Sequence, residues 1–326
     1  MSIESKCKIC GTVSNLNTIY KAKEMMFGTR KEFEYFQCAN CDCLQIKDIP
    51  EDLSVYYGSN YYNFKKDNAI FYTNTISNFL KFFLDNLVLF IFKSQMKYLQ
   101  GRDQTINSGL VSLSKISNIK KNSKILDIGC GNGIVLYRLV NAGFTNLTGL
   151  DPFVHEDIKY KNLTIYKKNI EDIKDEFEII TLHHVFEHLP NPLDSLLKIK
   201  NILSKNGTLL IRIPVVPNLM WDKYKDKWVQ LDAPRHLFLH SIKSMEFLAE
   251  KSGFTIEKIF YDSTELQFIG TEQYIQDIPL TSDNSHLQNI NNSIFTKEQI
   301  TNFKKQAKEA NEKSYGDQVC LYLRKK

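Results

Sequence analysis

The 326-residue chain lacks an apolar run long enough to cross a bilayer, which takes about 20 mostly apolar residues. Its greasiest stretch, Phe79–Phe92 (FLKFFLDNLVLFIF), is too short and is broken by Lys81, Asp85 and Asn86. A helix packed against the main body is therefore expected, in preference to a weak contact with a membrane surface. The opening residues MSIESKCKIC lack the apolar core of a secretory signal, which makes the cytoplasm the expected location. A strong charge of one sign is missing too: 42 Lys and Arg against 37 Asp and Glu leave +5, spread without a basic stripe. That balance argues against nucleic acid as a partner and would not oppose an anionic small molecule. Long repeats and low-complexity linkers are absent. Cysteines number only seven, four of them in paired spacing, which suits a reducing compartment and metal binding better than disulfides.

Those four are Cys7-x-x-Cys10 and Cys38-x-x-Cys41. Each pair can place two thiolates on one tetrahedral ion, so a structural zinc site in a small ribbon is expected, with Cys43 outside the spacing. A redox role is disfavoured because neither pair sits in a thioredoxin-like βαβ pattern.

Three regions are expected: a zinc-ribbon domain at 1–60, a helical linker region at 61–112, and an α/β domain at 113–326 with a helical insert at about 265–313. In the last region strands and helices alternate, as in a parallel sheet. Lys124–Ile128 reads as a buried strand, Ile134–Ala142 as a helix ended by Gly143, and Leu147–Leu150, Leu163–Tyr166 and Phe177–Leu182 as further strands. Asn191-Pro192 and Ser241 read as helix starts, and Thr296-Lys-Glu-Gln299 as a capping box. TLLIRIP, Phe254–Tyr261 and Gln318–Leu323 complete the strands.

The most informative stretch is KILDIGCGNG, Lys124–Gly133. A strand ends at Ile128, and the glycine-dense turn lets main-chain N–H groups and a helix N-terminus meet a ligand. Gly129, Gly131 and Gly133 remove Cβ atoms where a cofactor would lie against the backbone. Asp151 ends the next strand, where a carboxylate can accept both hydroxyls of a ribose. A dinucleotide fingerprint would need glycine at 134, where Ile134 stands. The D-x-G-x-G-x-G pattern from Asp127 instead resembles motif I of class I S-adenosylmethionine-dependent methyltransferases. GLDP at 149–152, KKNIEDI at 167–173, HHVFEHLPNP at 183–192 and LSKNGTLLIRIP resemble that family's later motifs. DAPRHLFLHSIKSMEFLAEKSGF resembles the distal segment of bacterial enzymes acting on small molecules and surface sugars.

The resemblance, good over roughly 120–262, implies a Rossmann-like seven-stranded α/β sheet and S-adenosylmethionine as cofactor. It implies Gly129 at the methionine part with Asp127 orienting that end, Asp151 on the ribose and Asn169 on the adenine. Cys130, Gly131, Gly133, Pro152, Ile170 and His183 complete the implied cofactor set. A sugar hydroxyl acceptor calls for a general base, usually histidine. His236 ranks first, on a lid after strand five with Asp232 as its partner and Arg235 nearby; His184 and His188 follow. His184-x-x-Glu187-His188 also resembles a divalent-cation cluster of some quinone-biosynthesis O-methyltransferases, with histidine in the first place. The leading expectation is methyl transfer to a nucleotide-linked sugar or other glycan precursor in surface polysaccharide biosynthesis. A quinone or polyketide-like hydroxyl is the alternative acceptor. A zinc-ribbon nucleic-acid binder with a degenerate methyltransferase fold is the alternative of another class, disfavoured by the intact glycine loop.

Overall fold

The computed structural model describes residues 5–57, 83, 85–91 and 108–326. Most of the expected linker region, and the ends of the Phe79–Phe92 stretch, lie outside the described residues. Near the N-terminus come β1 (Ser5–Lys6), β2 (Val13–Ser14), β3 (Thr18–Lys23), β4 (Glu32–Gln37) and β5 (Leu44–Ile46). The larger unit adds β6 (Lys124–Ile128), β7 (Asn146–Leu150), β8 (Ile158–Tyr160), β9 (Leu163–Tyr166), β10 (Phe177–His183), β11 (Leu203–Pro214), β12 (Phe238–Leu239), β13 (Phe254–Tyr261) and β14 (Gln318–Lys325).

Eight strands form the main sheet in the order β13-β14-β11-β10-β6-β7-β9-β8. The expected seven-stranded arrangement is present, with β14 antiparallel to both neighbours. The eighth strand, β8, folds back on β9 at the edge and was not legible in advance. The central strands are near-continuous apolar runs because both faces are covered. Successive residues serve opposite cores: Leu126, Ile180 and Leu209 pack on one side, Ile125, Ile179 and Leu210 on the other. Helices Pro192–Ile202 and Ile242–Ser252 cover the first face through Leu196, Ile199, Met245 and Leu248. Helix Ile134–Asn141 covers the second, where Val88, Leu89 and Phe90 of the apolar stretch also pack, Phe90 stacking on Phe144. Asp85 of that stretch pairs with Arg138. Among the described residues no helix is long and apolar enough to cross a membrane.

The expected caps are in place. Ser241 accepts from the Ser244 N–H, Thr296 accepts from the Gln299 N–H, and Gly253 closes its helix at φ 74°. These ends are local, so sequence alone places them.

The small N-terminal sheet is not closed by its own residues. Its order is β12-β5-β4-β3, so a strand from the larger unit completes it. Beside this seam Arg235 is fully buried. Its guanidinium donates to the Tyr56 carbonyl at 2.9 Å, to Glu24 at 3.0 Å and to Asp232 through Nε at 3.0 Å. The sequence placed Arg235 beside the candidate base; the structure shows that it ties its loop to the N-terminal segment. Replacing Arg235 by Met is expected to destabilise the protein by about 3–5 kcal/mol, because it leaves carboxylates buried without their cation. The exposed Arg30–Asp277 pair, by contrast, is screened by solvent and should matter little. Denaturant midpoints of the two single variants measure the difference, and equal losses would contradict it.

Candidate active site

At the carboxyl ends of β6 and β7 the chain builds a crevice. The Gly131 N–H donates to Asp151 Oδ2 at 2.8 Å, and the Phe153 N–H donates to Oδ1 at 2.9 Å. Asp151 thus fixes the glycine turn from the neighbouring strand while keeping lone pairs for another donor. Burial pushes its carboxyl pKa up, and the two N–H donors work against that.

Two of the glycines are also required by the turn and by packing. Gly129 and Gly133 have φ of 67° and 73°, where side chains are strained. A Cβ at Gly129 would lie 2.4 Å from Val185 Cγ2, and one at Gly133 would lie 2.4 Å from Ile165 Cδ1. The space is filled by the protein's own side chains, so these glycines serve the turn and its packing. Gly129 alone of the three also lines the cavity described next.

That cavity, of about 450 Å³, is walled by Gly129, Asp151, Pro152, Asn169 and Ile170 together with Val185, His184 and His188. Leu53, Ser54 and Tyr57 of the N-terminal segment close its side, a contribution that no motif in the sequence announces. Phe153, 64% exposed, lies parallel to Tyr57 at 6.1 Å between ring centres. Asn169 is exposed on the wall, while the Asp172 carboxylate turns back to accept from the Asn169 N–H at 3.2 Å. Asp127, Cys130, Gly131, Gly133 and His183 are not on the wall. Asp127 is buried behind it, accepting from Thr181 Oγ1 at 2.7 Å, and burial raises its pKa to about 7. His183 has both ring nitrogens buried without partners, and burial, then Arg212, lowers its pKa to about 3.

A second cavity of about 410 Å³ adjoins the first through His184 and His188, and is lined further by Arg212, Gln230, Asp232 and His236. All four expected catalytic residues therefore meet in space, but Asp232 is not placed to orient His236. Asp232 is committed to Arg235 on both oxygens, and its nearest approach to His236 Nε2 is 3.9 Å. The His236 ring is instead oriented by the Gln230 carbonyl, 2.7 Å from Nδ1. His184 Nε2 accepts a hydrogen bond from Arg212 Nη1 at 2.8 Å, so its Nδ1 carries the hydrogen and faces Glu187 Oε1 at 3.3 Å. That tautomer has no free lone pair for an acceptor.

The cysteines Cys7, Cys10, Cys38 and Cys41 converge as the spacing required. Their sulfurs lie within 4.8 Å of one another, with Cys7–Cys41 and Cys10–Cys38 each at 3.6 Å. Gln45 Nε2 donates to the Cys7 sulfur at 3.1 Å. Cys43 stays outside this group, buried against its own strand.

Comparison with known proteins adds the following. The family described as "Methyltransferase domain" matches residues 98–259. The tRNA U34 carboxymethyltransferase of Pseudomonas fluorescens is 29% identical over 153 residues, 41% of this chain and 46% of that protein. The enzyme of the same name from Cellvibrio japonicus is 33% identical over 109 residues, 29% of this chain and 34% of its own. The chain spans less than half the length of these curated relatives. The cyclopropane synthase MmaA2 of Mycobacterium tuberculosis overlays 74% of this chain and 98% of its own at 15% identity and a TM-score of 0.44, too loose a fit to bear on function. None of these names specifies a sugar, so the surface-glycan acceptor gains no support from them.

Proposed function

We propose that this chain, whose sheet has the α/β methyltransferase fold, transfers a methyl group from S-adenosylmethionine to a small molecule. The observation that carries the reading is Asp151: it locks the glycine turn through Gly131 and still borders a cavity of cofactor size. When bound, the cofactor supplies an activated methyl on a sulfonium, so the protein need only align, shield and position. Asp151 accepts the ribose hydroxyls, the Asn169 amide and Ile170 border the adenine, and Gly129 lies against the methionine end. Tyr57 and Leu53 keep water out from the side of the small domain.

The acceptor occupies the second cavity, which meets the first at His184 and His188. Its volume suits one small molecule, and both guanidiniums near it are already paired with carboxylates of the protein. A nucleotide-linked sugar fits that size, as does a quinone-like hydroxyl. Residues 1–60 serve as a zinc-ribbon domain. Four thiols at these distances suit one tetrahedral zinc, held structurally with no open position. Such thiols stay reduced in the cytoplasm, where we place the protein.

Incubation with cofactor carrying a labelled methyl, against nucleotide sugars, lipid-linked precursors, hydroxyquinones and unmodified tRNA, tests the proposal. Label in a small molecule is the expected result. Label in tRNA alone, falling steeply with salt, would replace the small-molecule acceptor with the kind of substrate the curated relatives are named for.

A further inference from the structure

Between the two cavities one carboxylate lacks a well-formed hydrogen bond. Glu187 is fully buried, and neither carboxylate oxygen makes a hydrogen bond, although His184 Nδ1 lies 3.3 Å away in poor alignment. An ionised carboxylate left so is expensive unless a cation answers it.

The nearby cations are spoken for. Arg235 is shared by Glu24 and Asp232, and Arg212 is held by Asp262 at 2.6 Å.

The side chains around Glu187 are set up to bind one. His188 Nδ1 lies 2.8 Å from the Arg235 carbonyl, and His236 Nδ1 lies 2.7 Å from the Gln230 carbonyl. Each carbonyl requires a proton on Nδ1, which leaves the Nε2 lone pair of each ring free. Main-chain carbonyls that fix the tautomer in this way are the usual support of metal-ligating histidines. One donor atom from each of Glu187, His188 and His236 lies within 4.8 Å of the others, and His236 Nε2 is 3.9 Å from Glu187 Oε1. The rings of His188 and His236 sit edge to face at 4.8 Å. Access is provided by the second cavity, which both histidines line.

We infer that Glu187, His188 and His236 form a binding site for a divalent first-row transition cation, separate from the four-cysteine cluster. Two imidazoles and one carboxylate suit Mn²⁺, Fe²⁺, Co²⁺ or Zn²⁺ better than Mg²⁺, which prefers oxygen donors throughout. The ligand set differs from the sequence pattern His184-x-x-Glu187-His188: His184 is used by Arg212, and His236 takes its place from a distant segment. The remaining positions of the ion open toward the second cavity, where oxygens of the acceptor would complete its shell. This last step rests on the methyltransferase reading; the ion site itself does not.

Mn²⁺ is the probe, because it disfavours thiolate sites and is paramagnetic. Titration of the full chain, followed by electron paramagnetic resonance, should show one Mn²⁺ bound. Glu187→Gln and His236→Gln should each weaken it at least about tenfold, while zinc content stays unchanged. Binding of S-adenosylhomocysteine within a few-fold of the parent protein shows that each variant is folded. Mn²⁺ affinity unchanged in both folded variants, or no Mn²⁺ or Co²⁺ binding at millimolar concentration, would overturn the inference. Mn²⁺ binding that the variants lose, in a protein that never binds S-adenosylhomocysteine, would uphold the ion site and remove the methyltransferase reading alone.

Discussion

Cys38→Ser is expected to take the protein from about one zinc ion per chain to none, with collapse of the small domain. Apparent binding free energies of structural zinc run at about 10–16 kcal/mol in small domains, and the fold inherits that energy. Cys38 is fully buried and sits 3.6 Å from Cys10 across the cluster, so a serine hydroxyl there offers a poor fourth ligand. The damage should reach the crevice. The segment that carries these cysteines supplies β5, the partner of β12, and leads into Leu53, Ser54 and Tyr57 on the wall of the first cavity. Weaker cofactor binding should accompany the lost metal. Cys43→Ser keeps the four ligands and should keep the zinc. Elemental analysis of protein purified without added metal checks both variants, and stoichiometric zinc in Cys38→Ser would rule out this ligand set.

Asp151→Ala should weaken binding of S-adenosylmethionine by at least about 100-fold. Two hydrogen bonds from ribose hydroxyls to a carboxylate contribute about 1.5–3 kcal/mol each, and every 1.4 kcal/mol is tenfold. The same substitution strips the acceptor from the Gly131 and Phe153 N–H groups, so the glycine turn loses its anchor as well. Asp151→Asn separates the two effects. It keeps one carbonyl oxygen for a backbone donor but turns an N–H₂ toward the other, and should fall between alanine and the parent. Calorimetric titration gives the affinities directly, and an alanine variant that binds as well as the parent would remove Asp151 from the site.

Some of this molecule is written in short stretches of sequence. The Lys124–Gly133 turn is legible because its glycines answer a local demand, positive φ at 129, 131 and 133. Asp151 follows 20 residues after Gly131, one helix and one strand later, a distance that βαβ geometry fixes. The cysteine pairs, the Ser241 and Thr296 caps and the Asn191-Pro192 helix start are local in the same sense. Tertiary structure decided the rest. No periodicity announces that β12 will complete a sheet begun at β3, or that β8 will fold back on β9. Arg235 meets Glu24 across 211 positions and Tyr56 across 179, so its role as a buried tie depends on two units docking. His236 could be picked as functional from its type and place, but not its role. The Gln230 carbonyl, rather than the carboxylate of Asp232, sets its tautomer, and packing brings it within 3.9 Å of Glu187, far from it in sequence. Residue type is inherited from the chain, whereas the direction of a lone pair is set by whichever main-chain carbonyl the fold places behind the ring.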